Sequence, residues 1–280
     1  MKLELGRMNR LTVTKAVDFG YYLDGGPIHE EILLPSGEVL SDVMLKVGDE
    51  VDAFLYLDQE ERIIATMKQP LAQVGDFAYL EVAWVNNFGA FLHWGPLKDL
   101  FVPFREQKMK MQKGQKYIVH VHLDEESYRI MASAKVDRYL SQEQPPYKRG
   151  DRVEILVWQK TDLGLKAIVD NKFSGLLYDN QLFRPVHTGD RLTAFISQVR
   201  EDGKLDLMLQ APGQEAAQDF SEQLLEHLQR NGGFSPYGDK SPAEEIYAMF
   251  GVSKKVFKKA VGDLYRRRLI TISDNGLKLV

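Results

Sequence analysis

The sequence contains no cysteine, which excludes disulfides, thiolate metal sites and thiol chemistry together. It has no run of 18 or more apolar residues and no N-terminal apolar stretch of the secretory kind. A membrane span or signal peptide is therefore not expected, and a soluble cytoplasmic protein is. Charge of one sign is lacking too: 36 Lys and Arg stand against 40 Asp and Glu, a formal net charge of −4. Nor is there a phosphate-binding glycine loop, a nucleophile–base motif or a metal–carboxylate constellation, so no catalytic residue, metal or cofactor is expected.

What the chain does have is a threefold repetition. Gly6, Gly75 and Gly150 each open a short apolar strand that runs into a turn, at offsets of 69 and 75 residues. A second glycine follows in each copy (Gly48, Gly114, Gly189) and introduces a strand pair. Repetition at this period predicts tandem small domains rather than one large core. Inside each copy the residues alternate, as in Ala78-Leu80-Val82, Val153-Ile155-Val157, Ile118-His120-His122 and Ile130-Ala132-Ala134. That is the period of half-buried strands. Tight turns such as Asp202-Gly203 join the last two strands. Five short strands without a long helical stripe predict a small Greek-key barrel that closes its own edges.

Charge divides the copies. Residues 1–70 carry 7 basic against 13 acidic residues, and residues 71–149 carry 11 against 9. A polyanion would find the second copy more welcoming than the first.

The second copy also carries Asn87-Phe88-Gly89-Ala90-Phe91, two aromatics three apart around a glycine that allows a tight bend, and Arg129 at the start of its last strand. Arg62 and Lys204 hold the matching positions in the other copies. Rings beside a cation on a barrel face suit single strands, bases stacking on the rings while the cation meets phosphate. The same spacing also suits two ordinary core rings. The pattern from Gly75 through Phe88-Gly89-Ala90-Phe91, Lys113-Gly114 and Arg129-Ile130 resembles the RNA-binding OB-fold domain first named from ribosomal protein S-one. The resemblance implies an RNA-facing set of Phe88, Phe91, Phe101 or Val102, and Arg129. The family's usual His after the turn is not evident in Leu100-Phe101-Val102-Pro103. Copy one keeps Phe19-Gly20-Tyr21-Tyr22 but is acidic. Copy three has Leu163 and Lys166 in place of the aromatics, with Tyr178 where the His would fall. Copies one and three are expected to be degenerate.

His93, His120 and His122 raise the question of a metal. Without a carboxylate in ligand spacing, packed or solvated histidines are the expectation. Asp124-Glu125-Glu126 reads as a solvated turn.

After Ala211-Pro212-Gly213 the period changes to three and four. Phe220, Leu224, Leu225 and Leu228 form one helical stripe that stops at Asn231-Gly232-Gly233. Ser241-Pro242 predicts the start of a short helix to Phe250, capped by the serine, and Ser253 caps a third helix to about Arg267. A hairpin around Asp274-Asn275-Gly276 closes the chain. Between Ser253 and Ile270 there are seven basic residues and one acid, Asp263. Lys255, Lys258, Lys259 and Arg266 lie opposite the apolar stripe, positioned for phosphate or a groove, or else forming a solubilising face.

Three barrels followed by a winged helix resemble, over the whole length, the bacterial CvfB/YitL family. The expected architecture is multidomain: OB-fold barrels at 1–70, 71–145 and 146–212, and an α+β winged helix at 213–280. The resemblance implies a non-enzymatic RNA-binding regulator of gene expression, including virulence genes, with single-stranded RNA as partner. The alternative is a DNA-binding transcription regulator using the winged helix, the barrels serving as interaction modules.

Overall fold

The three repeats close into three five-stranded barrels of one strand order in a computed structural model, which describes residues 3–179, 182, 185–209, 214–273 and 275–280. The first contains β1 (Met8–Val17), β2 (Gly20–Gly25), a four-residue helix α1 (Gly26–His29), β3 (Glu30–Pro35), β4 (Glu50–Leu57) and β5 (Ile63–Thr66). The second contains β6 (Phe77–Val85), β7 (Gly89–His93), β8 (Leu100–Pro103), β9 (Lys116–Leu123) and β10 (Ile130–Ser133). The third contains β11 (Arg152–Thr161), β12 (Gly164–Val169), β13 (Phe173–Tyr178), β14 (Arg191–Val199) and β15 (Leu205–Met208). Each barrel runs first–second–third–fifth–fourth strand and back to the first. One parallel pairing closes each, β3 with β5, β8 with β10, and β13 with β15. This is the OB-fold topology.

The repeated glycines share a geometry. Gly6, Gly75 and Gly150 have φ of 75°, 98° and 96° and donate to the carbonyls of Leu55, Val121 and Ile196 at 2.7, 2.8 and 2.8 Å. Gly48, Gly114 and Gly189, also left-handed, donate to Val13, Val82 and Val157 at 2.8 Å each. The register of each first strand shifts just after that valine, between Val13 and Lys15, Val82 and Trp84, and Val157 and Gln159. The bulge lets one long strand turn from one side of its barrel to the other.

In β9 the alternation holds, with the histidines together on its outer face. Val119 and Val121 point into the barrel core, so Ile118, His120 and His122 occupy the outer face. There the His120 ring packs between Phe77 and Tyr139, with centroids at 4.7 and 4.0 Å. Burial, with His122 beside it, lowers its pKa to about 4. It is a packed histidine.

Residues 1–140 and 141–280 are two compact units. In the first unit, β4 is buried on both faces. Val51, Ala53 and Leu55 enter the core of the first barrel, while Phe54 and Tyr56 join Ala72, Trp94 and the core of the second. Phe54 meets Trp94 edge-on at 5.4 Å. Backbone bonds stitch the same junction, Val74 to Gly6 at 2.8 Å and Leu71 to Trp94 at 2.7 Å.

In the second unit, the third barrel and the C-terminal domain each have their own core. The latter contains α2 (Gln214–Arg230), β16 (Phe234–Ser235), α3 (Ala243–Phe250), α4 (Lys254–Arg266), β17 (Ile270–Ser273) and β18 (Gly276–Leu279). Strand order β16-β18-β17 beside three helices is a winged helix. Ser253 caps α4 by accepting from Val256 N–H at 3.3 Å. Ser241 does not cap α3: its hydroxyl accepts from Gly238 N–H at 3.0 Å, and Pro242 is the cap residue. Ala211-Pro212-Gly213 and Asp274 lie outside the described residues.

Candidate nucleic-acid interface

Phe88 is presented by a tight turn. The Asn86 side-chain oxygen accepts from Phe88 N–H at 2.8 Å and Gly89 N–H at 3.1 Å, and Asn86 N–H donates to Gly89 at 3.0 Å. The ring is left 74% exposed. Glycine is required at 89 for a reason other than the expected bend. Its φ is not left-handed, but a Cβ there would lie 2.2 Å from the Val102 carbonyl oxygen of β8. Gly20 and Gly164 meet the facing strand equally closely in the other barrels.

Along β7, Ala90 and Leu92 enter the core and Phe91 points outward. It does not stand free. Trp84 stacks on it at 3.7 Å, nearly parallel, and Phe101 leans on it at 4.9 Å. The Trp84 indole N–H donates to Asp99 at 2.9 Å, which fixes the stack. Trp84 belongs to no motif in the sequence, and only its place two residues past Val82, beyond the bulge, marks it as an outward ring.

Arg129 follows the β9–β10 hairpin. Asp124 holds this turn by accepting from the Ser127 hydroxyl at 2.7 Å and Ser127 N–H at 3.1 Å, which with Arg105 nearby lowers its pKa. Arg105 reaches Asp124 at 3.4 Å. Arg62 and Lys204 are placed equivalently. Residues Asp58 and Arg62, Asp124 and Arg129, and Arg200 and Lys204 pair through backbone bonds of 3.0, 2.9 and 2.9 Å. A left-handed residue precedes each cation: Glu61, Tyr128 and Gly203.

The cations differ in their partners. Arg62 is held within its own barrel by Asp58 at 2.8 Å and Glu60 at 3.0 Å, and Lys204 by Asp202 at 2.9 Å. In the third barrel Tyr178 lies against Arg200, which also bridges to Asp206 at 2.7 Å, while Leu163 stands exposed. Arg129 instead pairs across the barrel junction with Glu61.

Phe88, Phe91, Phe101, Arg105 and Arg129 line one cleft of about 630 Å³ whose far wall is Tyr56, Leu57 and Glu61 of the first barrel. Lys98 ties the two walls by donating to the Asp58 carbonyl at 2.7 Å. Burial, aided by the Glu38 carboxylate, pushes the Tyr56 hydroxyl up to about 12, so that it remains a neutral donor. The cleft thus offers one exposed ring in Phe88, the half-buried Phe101, cations and a neutral hydroxyl. No such cluster of metal ligands exists among the described residues.

On α4, Phe257, Ala260, Val261 and Leu264 face the core. Lys255, Lys258, Lys259 and Arg266 are exposed. Lys258 is bridged to Asp239 at 3.0 Å, and Arg266 donates to the Gly262 carbonyl at 3.2 Å. Lys255 and Lys259 have no ion pair among the described residues. No described helix is long and apolar enough to cross a membrane.

Comparison with known proteins agrees with this architecture. Residues 5–68 match the S1 domain family and residues 222–279 the CvfB-like winged helix domain. The S1 match therefore falls on the acidic first barrel rather than on the second with its Phe-Gly-Ala-Phe turn. The chain is a tandem OB-fold protein with a winged helix, built from nucleic-acid-binding domain classes. Over 279 residues it is 28% identical to YitL of Bacillus subtilis strain 168, covering 97% of this chain and 92% of that one. It is 23% identical over 265 residues to conserved virulence factor B of Staphylococcus aureus strain N315, covering 92% and 88%. The chain is thus similar over nearly its whole length to the CvfB and YitL proteins. Among solved structures it is similar to a multidomain protein with nucleic acid binding domains from Streptococcus pneumoniae TIGR4, at 23% identity and a TM-score of 0.43, over 99% and 98% of the two chains.

Proposed function

We propose that this protein binds single-stranded RNA through the second barrel, as a non-enzymatic regulator of gene expression. The observation that carries the reading is the convergence of exposed Phe88, half-buried Phe101, Arg105 and Arg129 on one open cleft. Bases stack on phenyl rings without sequence preference, and guanidinium groups take the phosphates between them. Phe91, covered by Trp84, holds the platform in place rather than offering a free face. Binding of labelled oligouridylate tests this. Phe88→Ala should weaken binding by about 1–3 kcal/mol, the worth of one stacked base. Arg129→Gln should flatten the dependence of log affinity on log salt by about 0.7. Unchanged binding in both variants would remove the cleft from consideration.

A second reading, contact with nucleic acid through α4, is favoured by Lys255 and Lys259 on its exposed face, which have no ion pair among the described residues. It supports a duplex-DNA role for the winged helix in place of the RNA reading if the full-length protein prefers duplex DNA to single-stranded RNA in competition.

A further inference from the structure

Arg129, the cation best placed to meet a phosphate in the cleft, is already engaged. Its guanidinium pairs with Glu61, a residue of the other barrel, and both side chains remain about half exposed. The carboxylate is held there by the backbone. Glu61 occupies a left-handed conformation, φ 65°, in the β4–β5 hairpin, where its N–H donates to Asp58 at 3.2 Å. Lys98 of the second barrel grips the carbonyl of the same Asp58 at 2.7 Å. Phe54 and Trp94 pack beneath at 5.4 Å, so the hairpin cannot drift away from the second barrel without opening a shared core. The neighbouring acids are committed elsewhere, Asp58 and Glu60 to Arg62.

We propose that Glu61 is an affinity-setting competitor built into the first barrel, occupying Arg129 until a strand phosphate displaces it. The proposal rests on the cleft being the single-strand site. A ligand must then supply enough stacking and charge to exchange one anion for another at Arg129. An oligonucleotide that spans Phe88, Phe101 and Arg129 can do so, whereas a mononucleotide bringing one phosphate cannot. The acidic first barrel thereby becomes part of the second barrel's site, selecting connected strands over monomers. Because both groups are exposed to solvent, the competition is modest in size.

The test is fluorescence anisotropy of a labelled uridylate dodecamer with the full-length protein at low and physiological salt. Glu61→Gln should tighten binding roughly 2- to 5-fold, the range of one exposed ion pair. Glu61→Gly, which suits the left-handed backbone, should give the same gain and guards against a folding artefact. Glu60→Gln removes an equal charge that does not face Arg129 and should give no gain. In an Arg129→Gln background the gain from Glu61→Gln should vanish. No gain from either Glu61 variant, an equal gain from Glu60→Gln, or a gain that survives without Arg129 would overturn the role of Glu61 while leaving the cleft intact. Absence of dodecamer binding in both wild type and Glu61→Gln at low salt would overturn the cleft and the competitor together. Binding by Glu61→Gln alone would support both.

Discussion

Glycine 89 illustrates how one residue type can be required for two different reasons. In Gly48 the need is conformational, with φ at 96° and open space around the absent Cβ. In Gly89 the need is steric, since a Cβ would lie 2.2 Å from the Val102 carbonyl oxygen, which the β7–β8 ladder holds in place. Gly89→Ala should therefore destabilise the first unit by about 2–3 kcal/mol, the cost of overpacking against backbone. Gly48→Ala should cost about 1 kcal/mol. Urea denaturation of the two variants measures the difference, and equal costs would refute the steric reading. The sequence made this glycine visible as part of a motif, but a tight bend and a close strand approach leave the same letter. Trp84 and Glu61 were less legible. Stacking on Phe91 and pairing with Arg129 depend on which outward residues end up adjacent, which neither alternation nor charge counting specifies.

Strands and helices were easier to read than side-chain partners. Period two located the strands, but in β9 it could not say which of two interleaved apolar sets faced inward, because Val119 and Val121 alternate with Ile118, His120 and His122. The Ser253 cap was legible because its hydroxyl bonds a residue three along, within its own element. Ser241 has the same chemistry but spends it backward on Gly238. Strand β16, two residues long, has no period at all. The exposed face of α4 was legible as a lysine stripe, and an ion pair with Asp239, outside the helix, sets Lys258 apart. If α4 contacts nucleic acid, neutralising Lys255 and Lys259 to Gln should weaken binding of unrelated sequences alike. The salt slope should flatten by about 0.7 per lost contact on single strands and 0.9 on duplex. Lys258→Gln should matter less, since Asp239 already neutralises it. Anisotropy titrations over a range of salt decide this, and an unaltered slope in the double variant would make the stripe a solvated face.

On the scale of the molecule, the threefold repetition predicts tandem small domains rather than one large core. The third conforms. The first has a core too, but Phe54 and Tyr56 on the outer side of its β4 are shared, completing the core of the second. The run Ala53-Phe54-Leu55-Tyr56, apolar at every position, carried the hint, since a strand with one wet face alternates. What covers the second face is a long-range fact that no local pattern contains. Trp94→Ala should cost about 3–5 kcal/mol, as truncation of a buried aromatic does. Amide hydrogen exchange should then accelerate in β4 as well as in β6–β10. Faster exchange confined to the second barrel would show that the shared core does not couple the two.

A strand with two buried faces answers to two masters. Val51, Ala53 and Leu55 are constrained by one barrel and Phe54 and Tyr56 by the other, so neither barrel can be reshaped along this strand by itself. The acidic first barrel, whatever it binds, is a wall of its neighbour's core, and its removal would lay Ala72, Trp94 and the residues around them open on one side.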